Sequence, residues 1–100
     1  MAAQIRIYTI NRGQMDDFLK HFGEETSKLH QEIGWPIVAT YVNRPQNEFI
    51  WVRTYTDAAD LEAKGKAFRE LAASRGVQLG GNVAKMEVRE VEDAFVPAAV

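Results

Sequence analysis

The chain has 100 residues, a length that suits one domain with a single core. A formal net charge of −2 gives no electrostatic reason to expect nucleic acid or an anionic membrane as a partner. The absence of cysteine excludes a disulfide framework, a thiolate nucleophile and a zinc ribbon. We see no signal sequence and no apolar run of bilayer-spanning length, so we expect a cytoplasmic protein.

The first half of the chain predicts a strand, a helix and a second strand. Residues 4–10 alternate between aliphatic and polar or aromatic side chains, which is typical of a strand. Apolar residues then recur at spacings of three, four and seven, which predicts one continuous helix from Gln14 to Ile33 with Gly34 as its cap. Residues 35–42 are rich in β-branched and aromatic side chains, which favours a second strand.

The second half predicts a hairpin, a helix and a last strand. A turn-rich segment precedes the alternating stretch Glu48 to Tyr55, as in a β-hairpin. We expect Asp57 to cap a second helix that ends before Gly76. Residues 83–91 alternate again and predict a fourth strand, and the tail from Glu92 could dock on another surface.

This order of elements predicts an α+β fold of the ferredoxin-like kind, βαββαβ, in which two helices cover one face of a four-stranded antiparallel sheet. The other face should stay open. On the third strand Ile50 and Val52 alternate with aromatic and charged residues, and we assign this aliphatic side to the helices. The aromatic side is then expected to be open and to pack against a second copy of the chain in a homodimer. It comprises Arg6, Tyr8, Phe49, Trp51, Arg53, Tyr55, Glu87 and Arg89.

Two stretches carry a resemblance to a known family. They are Phe49 to Arg53 with Tyr55, ahead of a helix that contains Phe68, and Ile7 to Ile10 with Gly13 and Met15, ahead of an amphipathic helix. Together they resemble the NIPSNAP family within the dimeric α/β-barrel superfamily. The resemblance covers nearly the whole chain and implies one domain over residues 1–100, a dimeric barrel and a mostly uncharacterised function. The wider superfamily includes cofactor-free monooxygenases, polyketide cyclases, lactone isomerases and haem-degrading enzymes, whose ligands generally lie between sheet and helices.

Three residues are candidates for catalysis. Tyr8 and Arg53 are predicted on adjacent strands, where a phenol and a guanidinium could orient a carboxylate, an enolate or another small anion. The alternative is an interface in which Arg53 pairs with Glu87 and stacks on Trp51. His30 lies at the margin of the helix's apolar stripe and could act as a general base or haem ligand. Its alternative is a boundary residue without a chemical role.

Three aromatic residues are candidates for substrate binding. Trp51 and Tyr55 could wall a pocket for an aromatic or lipid-like ligand, and Tyr41 could donate a hydrogen bond to a substrate oxygen. Packing is the alternative for each. At about 100° per residue His21 and His30 face directions half a turn apart, so they cannot share a metal, and we expect His21 on the surface.

Two functions stay open at this point. The first is an enzyme without a bound cofactor, of the monooxygenase, cyclase or isomerase type, acting on a small apolar or aromatic carbonyl compound. The second is a non-enzymatic ligand-binding or assembly domain built from the same residues. The sequence contains no motif that separates them.

Overall fold

A computed structural model describes residues 2–95. Its strands are β1 Ala2–Ile10, β2 Ile37–Asn43, β3 Glu48–Tyr55 and β4 Val83–Glu92, and its α-helices are α1 Met15–His21, α2 Ser27–Ile33 and α3 Ala58–Ser74. A π-helical turn, Phe22–Thr26, joins α1 to α2. No helix of this part of the chain is long and apolar enough to cross a bilayer. Residues 96–100 of the tail, for which docking is predicted, lie outside the described residues.

The four strands form one antiparallel sheet in the order β2-β3-β1-β4. The central pair is β1 and β3, in which Ile5 lies opposite Val52 and Ile7 opposite Ile50. Helical segments follow β1 and β3, so the element order is βαββαβ. The predicted ferredoxin-like fold class is confirmed.

The helix ends agree with the prediction, whereas the continuity of the first helix does not. The Asp57 carboxylate accepts a hydrogen bond from the backbone N–H of Asp60 at 2.8 Å and so caps α3. Gly34 ends α2 with a φ of 72°, a conformation that glycine adopts without strain. The predicted helix from Gln14 to Ile33 is divided by the π turn, which contains one residue more per turn than an α-helix.

The helices cover the aromatic side of the sheet, so the predicted assignment of its two faces is wrong. The buried residues of β3 are Phe49, Trp51, Arg53 and Tyr55. Phe18 of α1 and Phe22 of the π turn pack against Phe49, with ring centroids 4.9 and 4.8 Å from that of Phe49. Both sides of the strand are apolar enough to be buried, so alternation alone does not decide between them. The rings of Phe18 and Phe22 determine which side is covered, because they form tilted and edge-to-face pairs with Phe49 and fill the space between helix and sheet.

The aliphatic side of the central strands is the open one. Its half-buried residues are Ile5, Ile7, Ile50 and Val52. Glu87 lies opposite Ile7 and Arg89 opposite Ile5, so these two charged residues belong to the open aliphatic side and not to the aromatic side as predicted. We call this surface the open face.

Substitutions on β2 and β3 test which face the helices cover. Phe49 is 2% exposed, and Phe49→Ala should lower the free energy of unfolding by roughly 3 to 5 kcal/mol because a ring-sized cavity remains. Tyr41 lies on the other side of the sheet, opposite Ile50, and is 63% exposed, so Tyr41→Ala should cost less than about 1 kcal/mol. Urea denaturation of both variants measures the difference. Equal losses would contradict the assignment.

Candidate functional site

A cavity of about 360 Å³ lies between the helices and the aromatic side of the sheet. We call it the cleft. From the sheet it is lined by Arg6, Tyr8, Trp51 and Arg53. From α1 and the π turn it is lined by Phe18, Phe22 and Thr26. The loop 78–82, ahead of β4, completes the lining. Its volume is that of a pocket for a small ligand, with aromatic walls and a few polar groups.

Arg53 is a buried cation without a carboxylate partner. It is 7% exposed, and none of the ion pairs within residues 2–95 includes Arg53 or Arg6. Its Nε donates to Gln4 Oε1 at 2.9 Å, and its Nη1 donates to His30 Nε2 at 3.0 Å. Its Cζ lies 3.7 Å from the ring centroid of Trp35 and 4.8 Å from that of Trp51. Neutral acceptors and aromatic faces therefore hold the charge in place of a counter-ion.

The pKa of Arg53 reflects the cost of this arrangement. Burial, and next the positive charge of Arg6, lower the pKa of Arg53 to about 9. Both causes disfavour the charged form, because the group is removed from water and placed beside a like charge. An anion in the cleft would favour the charged form and so raise the pKa of Arg53.

His30 positions Arg53 through a hydrogen bond. Its Nδ1 donates to the carbonyl oxygen of Thr26 at 2.7 Å, which leaves Nε2 as the acceptor for Arg53. The ring is 1% exposed, and desolvation is the main cause that lowers the pKa of His30 to about 4. The expected position of His30 at the margin of the apolar stripe is wrong. The π turn adds a residue, so the side chains of α2 point about 100° away from the directions that one continuous α-helix would give them.

Arg6 and Tyr8 form the second part of the site. Arg6 Nε donates to the hydroxyl oxygen of Tyr8 at 2.9 Å, and Arg6 Nη1 donates to Gln4 Oε1 at 3.1 Å. Because the oxygen of Tyr8 accepts from Arg6, the hydroxyl proton of Tyr8 is left for a ligand. Arg6 Nη2 lies 2.9 Å from the sulfur of Met86, a weak acceptor.

The cleft is rich in donors and poor in acceptors. The indole Nε1 of Trp51 is buried and has no hydrogen-bond partner in the described part of the chain. The amide oxygen of Gln4 accepts from both guanidinium groups. Such a set of unsatisfied or weakly satisfied donors, together with two positive charges, fits an anion better than a neutral or cationic ligand.

The structure brings together four of the six predicted site residues. Tyr8, Trp51 and Arg53 line the cleft, and His30 supports Arg53 directly. Tyr55 shares their side of the sheet, but its hydroxyl donates to the carbonyl oxygen of Ala3 at 3.4 Å and it does not line the cleft.

Tyr41 is separated from the other five. It lies opposite Ile50 on the open face and is 63% exposed. The alternative ion pair between Arg53 and Glu87 is not formed, since Glu87 contacts Lys85 and Arg89 on the open face. The stacking of Arg53 on Trp51, which belonged to the same alternative, is present.

Gln4, Arg6 and Trp35 complete the site and are missing from the predicted set. The alternation of β1 did contain a signal for two of them, because it places Gln4 and Arg6 on the same side as Tyr8. A strand side with three polar-tipped residues in a row is unusual for a dry core. Trp35 gave no comparable signal, since it lies between α2 and β2.

His30 offers no free ligand atom for haem iron or another metal. Both ring nitrogens of His30 are engaged. His21 Nε2 lies 2.9 Å from the carbonyl oxygen of Gln78, and its Nδ1 lies 3.3 Å from the Glu25 carboxylate. Within residues 2–95 no group of three or more His, Cys, Asp or Glu side chains could hold a metal ion.

A pH series tests the buried state of His30. The pKa of His30 is 6.5 in a free side chain and about 4 in the folded protein, so the unfolded state binds more protons between these values. Stability should therefore fall as the pH drops from about 6.5 toward 4, by roughly 3 kcal/mol at most. His30→Gln keeps an acceptor for Arg53 and should remove this part of the pH dependence.

Urea denaturation at several pH values measures the effect of His30→Gln. The matched control is His21→Gln, which replaces a partly exposed imidazole and leaves His30 in place. Identical pH profiles for His30→Gln and the wild type would contradict a neutral, buried His30.

No protein-family model and no curated protein matches the sequence. Among solved structures, an uncharacterized NIPSNAP domain protein from Burkholderia xenovorans has a TM-score of 0.79 and 18% identity, over 98% of this chain and 100% of that one. A MhuD variant with two manganese protoporphyrin IX molecules per active site has a TM-score of 0.72 and 13% identity, over 99% and 100%. An antibiotic biosynthesis monooxygenase has a TM-score of 0.64 and 19% identity, over 95% and 100%. The chain thus has the ferredoxin-like fold of the NIPSNAP domain proteins, which confirms at the level of fold the resemblance in its sequence.

Proposed function

We propose that the protein binds a small apolar or aromatic carbonyl compound in the cleft and stabilises the oxyanion that forms when this compound loses a proton. The observation that carries the proposal is the buried Arg53 guanidinium, which faces an aromatic cavity beside Arg6 and Tyr8 and has no carboxylate partner within residues 2–95. In a dry site, fixed donors of this kind stabilise a developing negative charge much more than water does.

The reaction class follows from the oxyanion. Formation of an enolate or phenolate is an early step that cofactor-free oxygenation, cyclisation and isomerisation of carbonyl compounds can share. Tyr8 would donate its hydroxyl proton to the oxygen that becomes negative, Arg53 would supply the charge, and Trp51 would stack on the ring of the substrate. The likeness in fold to an antibiotic biosynthesis monooxygenase favours the oxygenation branch.

His30 enters this proposal as a positioning residue and not as the proton carrier that its sequence position suggests. Both of its ring nitrogens are engaged, and its pKa of about 4 makes it a weak base. Its contribution is to hold the guanidinium of Arg53 toward the cleft. The proton of the substrate would leave to water at the mouth of the cleft.

A non-enzymatic binding protein is the second candidate. The observation that favours it is the shortage of bases, since the lining of the cleft in the described part of the chain includes no carboxylate and a single imidazole, that of His21. In this case the ligand would enter as a preformed anion and leave unchanged. The two candidates share the anion site and differ in whether the bound compound reacts.

The ionisation of para-nitrophenol tests the anion site. At a pH below the pKa of the free probe, adding the protein should increase the phenolate absorbance, because the cleft lowers the pKa of the bound probe. Arg53→Met should weaken phenolate binding by roughly tenfold or more. The matched control is Arg44→Met, which removes an exposed guanidinium that pairs with Asp16. The absence of any increase with the wild-type protein would refute the proposed oxyanion site.

Oxygen uptake separates the enzyme from the binding protein. Anthrone is an aromatic carbonyl compound with acidic C–H bonds, and its oxygenation consumes one O₂ and yields anthraquinone and water. For an oxygenase, the wild type should accelerate uptake and Arg53→Met should abolish the acceleration. Binding of anthrone without acceleration would favour the second candidate.

We also propose that the chain is a homodimer that pairs through the open face. The aliphatic residues of this face form a contiguous apolar patch on the two central strands, and charged residues of β4 flank it. Patches of this kind usually mark a protein interface, and an identical face on a second copy is self-complementary about a two-fold axis. The residues of the proposed interface are thus aliphatic, whereas the sequence suggested an aromatic interface.

Sedimentation velocity tests the dimer. Ile7→Lys places a charge at the centre of the open face and should convert a dimer into a folded monomer, since an unpaired charge is not tolerated in an apolar interface. The control is Leu79→Lys, which changes a 43% exposed aliphatic residue beside the cleft and should leave the dimer intact. A wild-type protein that sediments as a monomer at high concentration would contradict the proposal.

A further inference from the structure

We propose that the ligand of the cleft is a carboxylic acid, bound as its carboxylate between Arg6 and Arg53, with an aromatic or apolar body that packs along Trp51. This inference rests on the proposed function, because it names the substrate class of the same site. The carbonyl compound would then carry a carboxylate in addition to the carbonyl oxygen.

The cleft is positively charged. Arg6 and Arg53 both line it, no carboxylate lines it in residues 2–95, and the charge of Arg69 on α3 also acts on Arg53. An oxyanion that exists only during a reaction leaves these positive charges uncompensated for the rest of the time. A carboxylate on the ligand compensates one of them for as long as the ligand is bound, before and after any chemical step.

Donors of the two arginines share one acceptor. Arg53 Nε and Arg6 Nη1 reach the same atom, Gln4 Oε1, at 2.9 and 3.1 Å. The two guanidinium groups therefore converge on one buried point, and both groups line the cleft. A planar carboxylate beside that point has two oxygens and can accept from both planar groups at once, which a single carbonyl or phenol oxygen does less well.

Arg6 has a weak hydrogen-bond partner. Arg6 Nη2 contacts the thioether of Met86, whose side chain is 46% exposed and can move aside. Replacing a thioether contact by a charge-assisted bond favours a bound carboxylate.

A series of naphthalene probes with one shape and different head groups tests the inference. The probes are 2-naphthoate, 2-naphthamide and 2-naphthol, and calorimetry measures their binding to the wild-type protein at neutral pH. We expect naphthoate to bind at least about tenfold more tightly than naphthamide. Equal affinities for naphthoate and naphthamide would overturn the inference. In a thermal shift assay, stabilisation of the protein by inorganic phosphate equal to that by naphthoate would also overturn it.

Two arginine variants locate the carboxylate. Arg6→Met should weaken naphthoate binding by roughly tenfold and remove the difference from naphthamide, whereas Arg44→Met should change neither. If Arg6→Met does not fold, the wild-type probe series alone decides. An unchanged preference for naphthoate in folded Arg6→Met would overturn the placement between the two guanidinium groups.

The outcomes distinguish this inference from the proposed function. Increased ionisation of para-nitrophenol without a preference for naphthoate would support the oxyanion site and overturn the carboxylate. A preference for naphthoate without increased ionisation of para-nitrophenol would support the carboxylate and overturn the oxyanion site. Failure of both probe sets would refute an anion site of either kind.

Discussion

The structure depends on one constraint, which is that the positive charge of Arg53 is buried without a counter-ion in the described chain. A buried charge is costly unless hydrogen bonds and polarisable neighbours compensate it. Here Gln4 and His30 accept from the guanidinium, and the rings of Trp35 and Trp51 lie against its face. The elements that supply these groups, β1, α2 and β3, are therefore fixed relative to one another by a polar centre inside an aromatic core. The same centre faces the cleft, so packing and ligand binding depend on the same residue.

The general fold could be predicted from the sequence because its signals are local. The alternating strands, the Asp57 cap and the left-handed Gly34 each depend on a few neighbouring residues, and the structure agrees with all of them. Which face of the sheet is covered could not be predicted in the same way. Ile50 and Phe49 are both apolar, and the choice between their sides depends on how Phe18 and Phe22 fit against the sheet. That fit is a property of tertiary packing and leaves no periodic pattern.

The candidate site was predictable in part for the same reason. Tyr8, Trp51 and Arg53 follow from strand alternation, which places them on one side wherever the helices lie. The role of His30 depends on the π turn, and no spacing rule for a regular α-helix could place its ring against Arg53. With both nitrogens engaged, this histidine makes the site one for holding an anion more than for moving a proton.

The most direct test of an anion site centred on Arg53 is the ¹⁵N spectrum of the arginine side chains during a titration with 2-naphthoate. The account predicts saturable shifts of the Arg53 and Arg6 Nε resonances, while the resonances of Arg44 and Arg75, which already pair with Asp16 and Glu32, stay in place. Unchanged Arg53 and Arg6 resonances at saturating naphthoate, or equal shifts for all four arginines, would contradict it.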